Sequence, residues 1–202
     1  MIRIAIFASG TGSNAKKIIE YFSTHPQIRV GLVVSNKPTA KVLTMAGAYD
    51  IPTLVIERQP FYESEQLLED LGAYRINFIA LAGFLWLVPT YLVTHFPRRI
   101  VNIHPALLPK FGGKGMYGSR VHQAVKAAGE QQSGPTIHFV NERYDEGDII
   151  FQTSCNIHKT DSADDIARKV LQLEHQHFAS VIEETIRQDQ ALMTSSQVTT
   201  GN

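Results

Sequence analysis

The sequence predicts an α/β fold: a mostly parallel sheet with helices on both faces, followed by a C-terminal antiparallel strand pair and a long last helix. Three observations carry the prediction. Short apolar runs bounded by turn residues alternate with segments of helical period, and uninterrupted apolar strands mark a parallel sheet covered on both sides. After Pro109 the alternation breaks into a glycine-rich stretch and then two strand-like runs around an acidic turn. From Ser162 the chain settles into one sustained helical period.

The elements follow in order. Residues 2–7, Ile-Arg-Ile-Ala-Ile-Phe, read as a buried strand; residues 8–14 form a small-residue turn, and 15–22 a helix. A second strand covers 29–35, a second helix 40–49, and a brief third strand 54–56. Residues 64–74 are helical, with Leu67, Leu68 and Leu71 inward and Glu65, Glu69 and Asp70 outward. The most apolar strand, 78–82, precedes the stretch from Val101 to Pro109. Pro105 ends that strand because it cannot donate to a ladder. Residues 111–119, with four glycines, read as a mobile loop. Residues 121–128 are helical, 136–140 and 149–154 are strands paired like a hairpin, and 144–148 form the turn between them. Ser162 caps a helix running to about Arg187, with Asp164 and Asp165 favouring its N-terminal dipole. This gives a Rossmann-like single domain over 1–187 and a polar, disordered tail over 188–202.

Composition narrows the function. A chain of 202 residues with 44% hydrophobic content supports one core. Lys plus Arg and Asp plus Glu are 19 each, so the net charge is zero. That balance argues against a nucleic-acid or membrane surface. The single cysteine, Cys155, excludes an intramolecular disulfide and fits a reducing cytoplasm. The N-terminus starts on a strand rather than a signal peptide, and no apolar run approaches a membrane span.

Three motifs carry chemistry. Asn102 and His104 are two apart on a strand, so both point to one face at its C-terminal end, where open α/β sheets place ligands. A carboxamide can hold a carbonyl oxygen, and an imidazole can move a proton near neutral pH. Thr11, Gly12, Ser13 and Asn14 lie between a strand and a helix, so backbone amides and the helix dipole converge on an anion. Gly10, Gly12 and Ala15 also fit a relaxed dinucleotide fingerprint, but the second strand ends Ser35-Asn36-Lys37 without the acidic residue a ribose needs. The loop therefore suits one phosphate, the alternative being a purely structural turn. Asp145 sits in the acidic turn; aimed at His104 it would orient the imidazole and raise its pKa while its own falls, and otherwise it is a solvated loop residue. His138 is either a core histidine or a wall of the site. His104, His122 and His138 match no compact metal-ligand spacing, so no metal is expected.

The run Ala8–Asn14, then Leu81-Ala82-Gly83-Phe84, the stretch Asn102–Pro109, Thr136–Val140 and Asp145-Glu146-Gly147 together resemble the phosphoribosylglycinamide formyltransferases. The resemblance covers roughly 1–187. It implies an enzyme of de novo purine biosynthesis that transfers the formyl group of 10-formyltetrahydrofolate, its co-substrate, to the amine of glycinamide ribonucleotide. It implies Asn102, His104 and Asp145 as the catalytic trio, and Thr11, Gly12, Ser13 and Asn14 as the substrate-phosphate loop. Glu174 matches the residue that holds the ribose. Phe84, Leu85, Trp86, Leu87, Phe139, Val140, Asn141 and Tyr144 match the folate pocket. It further implies a cytoplasmic monomer or homodimer that uses no metal.

Two departures stand out: Trp86 stands where many members carry an arginine, and the stretch Gly112–Ser119 is longer than the corresponding loop. Formyltetrahydrofolate hydrolase shares the trio but has an added N-terminal domain. Methionyl-tRNA formyltransferase needs a second, basic domain. A nucleotide-binding module without catalysis would account for the glycine turn but not for Asn102 beside His104.

Overall fold

The computed structural model describes residues 1–199. The chain opens with β1 (Ile2–Phe7) and α1 (Ser13–Phe22), then β2 (Ile28–Ser35), α2 (Lys41–Gly47) and β3 (Thr53–Val55). Next come α3 (Arg58–Glu63), α4 (Gln66–Ala73), β4 (Phe78–Leu81), α5 (Thr90–His95) and β5 (Ile100–His104). The second part holds α6 (Ser119–Ala127), β6 (Gln132–Ser133), β7 (Thr136–Phe139), β8 (Ile149–Gln152), β9 (Cys155–Asn156) and α7 (Ala163–Thr199).

The main sheet has seven strands in the order β3-β2-β1-β4-β5-β7-β8. The five strands from β3 to β5 are parallel, and β7 and β8 add antiparallel. This is the mostly parallel architecture with a terminal antiparallel pair and long helix that the sequence predicts. Period-two alternation along β1 explains the two-sided core. Ile4 and Ile6 pack toward α1 and α7 with Ile18, Phe22, Phe178 and Ile182. Ala5 and Phe7 pack the other way with Phe61, Leu71, Leu92 and Phe96 of α3 to α5. Both faces being apolar is why these strands read as unbroken hydrophobic runs.

The order in which strands are added across the sheet reverses between β1 and β4. From β1 the chain moves outward to β2 and β3, then returns to build β4 and β5 on the opposite side. The loops after β1 and β4 thus flank a topological switch point, the place where open α/β sheets leave a crevice. Two bonds join them: Ser9 N–H donates to the Gly83 carbonyl at 3.0 Å, and Leu85 N–H donates to Ser9 Oγ at 3.1 Å.

Some elements differ from the sequence reading. Helices α3 and α5 stand where it places loops; each has six residues, too few to display a period. Strands β6 and β9 form a separate two-stranded sheet of two-residue segments. The last helix, expected to end near Arg187, continues to Thr199. No proline or glycine lies between Gln188 and Thr199, so nothing in the chain stops it. The rest of the expected tail, 200–202, lies outside the described residues. At the other end Ser162 does cap α7: Asp165 N–H donates to Ser162 Oγ at 3.1 Å, and Ser162 N–H donates to Asp165 Oδ2 at 2.9 Å. This is a reciprocal capping box with Asp in the acidic position.

Candidate active site

Alternation along β5 turns Val101 and Ile103 into the core and leaves Asn102 and His104 facing one cleft. The antiparallel register sets Asn102 opposite His138 of β7. Asn102 Nδ2 donates to His138 Nε2 at 3.0 Å, while His138 Nδ1–H donates to the Phe139 carbonyl at 2.7 Å. The two bonds together fix the His138 tautomer.

Asp145 arrives from the turn after β7, in a left-handed conformation with φ 57. Its Oδ1 lies 3.4 Å from Asn102 Nδ2 and 3.6 Å from His138 Nε2. Its Oδ2 lies 3.4 Å from His104 Nδ1 and accepts the Gly113 N–H at 2.9 Å. The other imidazole nitrogen, His104 Nε2, donates to the Phe111 carbonyl at 2.8 Å. The fold thus brings together the three residues the sequence singles out and adds His138 as a wall of the site.

The electrostatics of the pair depart from expectation on one side. Burial pushes the Asp145 carboxyl up, but His138, His104 and the Gly113 amide together hold it below the usual aspartate value. Burial also holds His104 below the usual histidine range, outweighing the pull of Asp145 and the Phe111 carbonyl. His104 is only 3% exposed, and the cost of desolvating an imidazolium there exceeds the gain from one carboxylate. The expected rise of the histidine is therefore replaced by a fall, and the resting ring is neutral near pH 7.

The cleft has a volume of about 490 Å³ and reaches from the β1 turn to the glycine-rich stretch before α6. Thr11, Gly12, Ser13 and Asn14 form its far end, at the start of the ten-residue helix α1. Gly12 adopts φ +81, and a Cβ there would come within 2.6 Å of Val42 Cγ2, so only glycine allows this turn to lie against α2. Asn14 Nδ2 donates to Glu174 Oε2 at 2.6 Å, linking the turn to α7. Burial pushes the Glu174 carboxyl up to about 7, against that bond. Asn14 Oδ1 is buried without a protein partner.

The residues proposed for the folate divide between this cleft and an adjoining cavity. Phe84, Leu85 and Tyr144 line the first; Trp86, Leu87, Val140 and Asn141 line the second, which also touches Asn102, His138 and Asp145. Phe139 lines neither. By strand alternation it faces away from His138, toward the core, with the Arg98 guanidinium 4.1 Å from its ring.

Trp86 packs beside Phe61, Tyr62 and Phe84, with ring centroids 5.4, 6.1 and 6.1 Å away. Arg58 stands over both Trp86 and Tyr62. Neither Arg58 nor Tyr62 is visible in the sequence as part of a site, because α3 reads there as a loop. His122 of α6 also lines the cleft, buried, with Nδ1 unpartnered. Among the described residues no group of three or more His, Cys, Asp or Glu side chains is arranged for a metal ion. No helix among them is long and apolar enough to cross a membrane.

Comparison with known proteins agrees with this geometry. The formyl transferase family pattern matches residues 2–182. The chain is 44% identical to the chloroplastic phosphoribosylglycinamide formyltransferase of Arabidopsis thaliana over 89% of its length, covering 64% of that protein. It is 34% identical to the phosphoribosylglycinamide formyltransferase of Bacillus subtilis, over 92% of this chain and 95% of the relative. The chain spans less than two thirds of the plant relatives, 64% of the Arabidopsis protein and 60% of that from Vigna unguiculata. A crystal structure of phosphoribosylglycinamide formyltransferase from Anaplasma phagocytophilum superimposes with a TM-score of 0.81 at 32% identity, covering 90% of this chain and 84% of that one.

Proposed function

The chain belongs to the formyl transferase family, and we propose that it transfers the formyl group of 10-formyltetrahydrofolate to the amine of glycinamide ribonucleotide, a step of purine biosynthesis. One observation carries the reading: a single cleft holds a phosphate-sized turn at one end and the Asn102–His104–Asp145 cluster at the other. A nucleotide module would need the first but not the second.

The residues divide the work. The turn Thr11–Asn14, with its backbone amides at the start of α1, suits the substrate phosphate. Glu174, beside Asn14, suits the ribose hydroxyls as an acceptor. These contacts lie away from the reacting atoms, so their binding energy is used for positioning. The aromatic cluster of Phe84 and Trp86, continued by Val140 and Asn141, offers a half-apolar wall to the folate.

When the amine attacks the formyl carbon, negative charge develops on the formyl oxygen. Asn102 is placed to meet it: of its two donor contacts the longer, at 3.4 Å to Asp145, is the one a formyl oxygen can replace. His104 and Asp145 act as one proton-accepting unit for the attacking amine. His104 starts neutral, and the imidazolium formed on protonation finds an acceptor at each nitrogen, Asp145 and the Phe111 carbonyl. Collapse of the tetrahedral adduct breaks the bond from the formyl carbon to the folate nitrogen, which takes the proton back from the pair and leaves as tetrahydrofolate; we assign no metal to the reaction. We further propose a cytoplasmic monomer or homodimer whose partners are these two small molecules; Cys155 is a free thiol, consistent with a reducing compartment.

The test is direct. Protein is mixed with the formyl donor and glycinamide ribonucleotide, and release of deformylated folate is followed. Turnover is expected only when the ribonucleotide is present. Equal folate loss without it would make the protein a hydrolase.

A further inference from the structure

We infer that the backbone of the glycine-rich stretch, through the Phe111 carbonyl and the Gly113 amide, positions the catalytic pair. The inference rests on the formyl-transfer reading above. The stretch resembles a lid, yet its backbone addresses both members of the pair from one short segment. Phe111 O accepts from His104 Nε2 at 2.8 Å, and Gly113 N–H donates to Asp145 Oδ2 at 2.9 Å. Between them Gly112 has no room for a side chain: a Cβ there would lie 2.6 Å from Leu108 Cδ2 and 3.3 Å from Asp145 Cβ.

The conformation needed for this is unusual. Phe111 holds φ 58 although it is not glycine, and Gly113 holds φ 94. Left-handed geometry at a bulky residue is costly and persists where the surroundings demand it. Here it turns one carbonyl toward the imidazole and, two residues later, one amide toward the carboxylate.

Each contact has its own consequence. The Phe111 carbonyl can only accept, so it holds a proton on Nε2 and leaves Nδ1 as the nitrogen that takes up the second proton, facing the Asp145 carboxylate that accepts from it. The Gly113 amide favours the charged carboxylate. The groups facing the pair are few: His138 from β7, Asn102 from β5, and His122 from α6 on the far side of His104. None of these is an amide donor to Oδ2, so losing the Gly113 bond changes what the pair feels. In this arrangement Phe111 and Gly113 are positioning residues, acting through His104 and Asp145 rather than on substrate.

Two glycines of the same stretch make a matched test. Gly113 and Gly115 both have φ near +90 and open space where a Cβ would go, so alanine strains each alike. Only Gly113 donates to Asp145. The pH profile of kcat is measured for wild type, Gly113→Ala and Gly115→Ala with 10-formyltetrahydrofolate and glycinamide ribonucleotide. Gly113→Ala is expected to lower kcat by about tenfold or more, the scale of one lost bond to a charged group. It should also move the acidic limb of the profile to higher pH, because the pair then takes up a proton more easily. Gly115→Ala should leave the limb in place, whatever it does to the rate. The same shift in both variants, or in neither, overturns the inference. Absence of turnover in wild type would instead overturn the formyl-transfer reading.

Discussion

Replacing Glu174 with glutamine should stabilise the folded protein, and more so at high pH. The carboxyl is almost wholly buried, and its value moves from 4.5 to about 7, driven by burial and opposed by the Asn14 amide. The folded state therefore binds this proton more tightly than the unfolded chain. Stability falls as pH rises from about 4.5 to about 7, and the deficit persists above that window. The deficit is roughly 1 kcal/mol near pH 5.5 and roughly 3 kcal/mol near pH 8. Glutamine keeps the shape, still accepts from Asn14, and carries no charge to bury. Glu174→Gln should thus gain about 2 kcal/mol more near pH 8 than near pH 5.5, or on the order of 4–8 °C in Tm for a domain of this size. Calorimetric melts of both proteins without ligand, at the two pH values, measure the difference. An equal Tm change at both, or a loss at the higher one, would refute the reasoning. The same variant should bind glycinamide ribonucleotide more weakly, a stability gain set against function.

Three further outcomes follow from the site. Gly12→Val should weaken binding of the ribonucleotide far more than of the folate, since its side chain meets Val42 and displaces the phosphate turn; calorimetric titration of each ligand checks it. Asp145→Asn and His104→Ala should each cost on the order of a hundredfold in kcat, and the double variant little more than the worse single, because the two act as one unit; multiplicative losses in steady-state kinetics would mean independent roles. Trp86→Ala should raise KM for the formyl donor several-fold while leaving the pH profile unchanged, since the indole packs on Phe61, Tyr62 and Phe84 and carries no group that titrates; an altered profile would place it in the proton chemistry.

Much of this was legible from residues alone, and the boundary has physical causes. Strands β1, β2, β4 and β5 announce themselves because both faces are largely buried, so most positions are apolar. Asn102 and His104 stand out because they are the polar exceptions on such a strand. Helices α3 and α5 escape because one and a half turns cannot show a period, and Arg58 and Tyr62 escape with them. Asp145 is a different case: an acidic turn carries no local sign of what it faces, and only the family resemblance or the fold connects it to His104. The Phe111 carbonyl and Gly113 amide lie further out of reach, since every residue has such groups and only three-dimensional geometry selects two of them. Phe139 faces the core rather than either cavity because neighbours on a strand face opposite ways.

The pairing of Asn102 with His138 across β5 and β7 has one more consequence. A slip of β7 by one residue against β5 would turn His138 away from Asn102, out of the cleft and into the hydrophobic layers. Ile137, which is fully buried, would be driven the other way. The forces that align the hydrophobic layers are thus the same forces that assemble the reacting groups. Turnover then doubles as a gauge of strand alignment, and a refolding population regains activity only as fast as this one ladder finds its place.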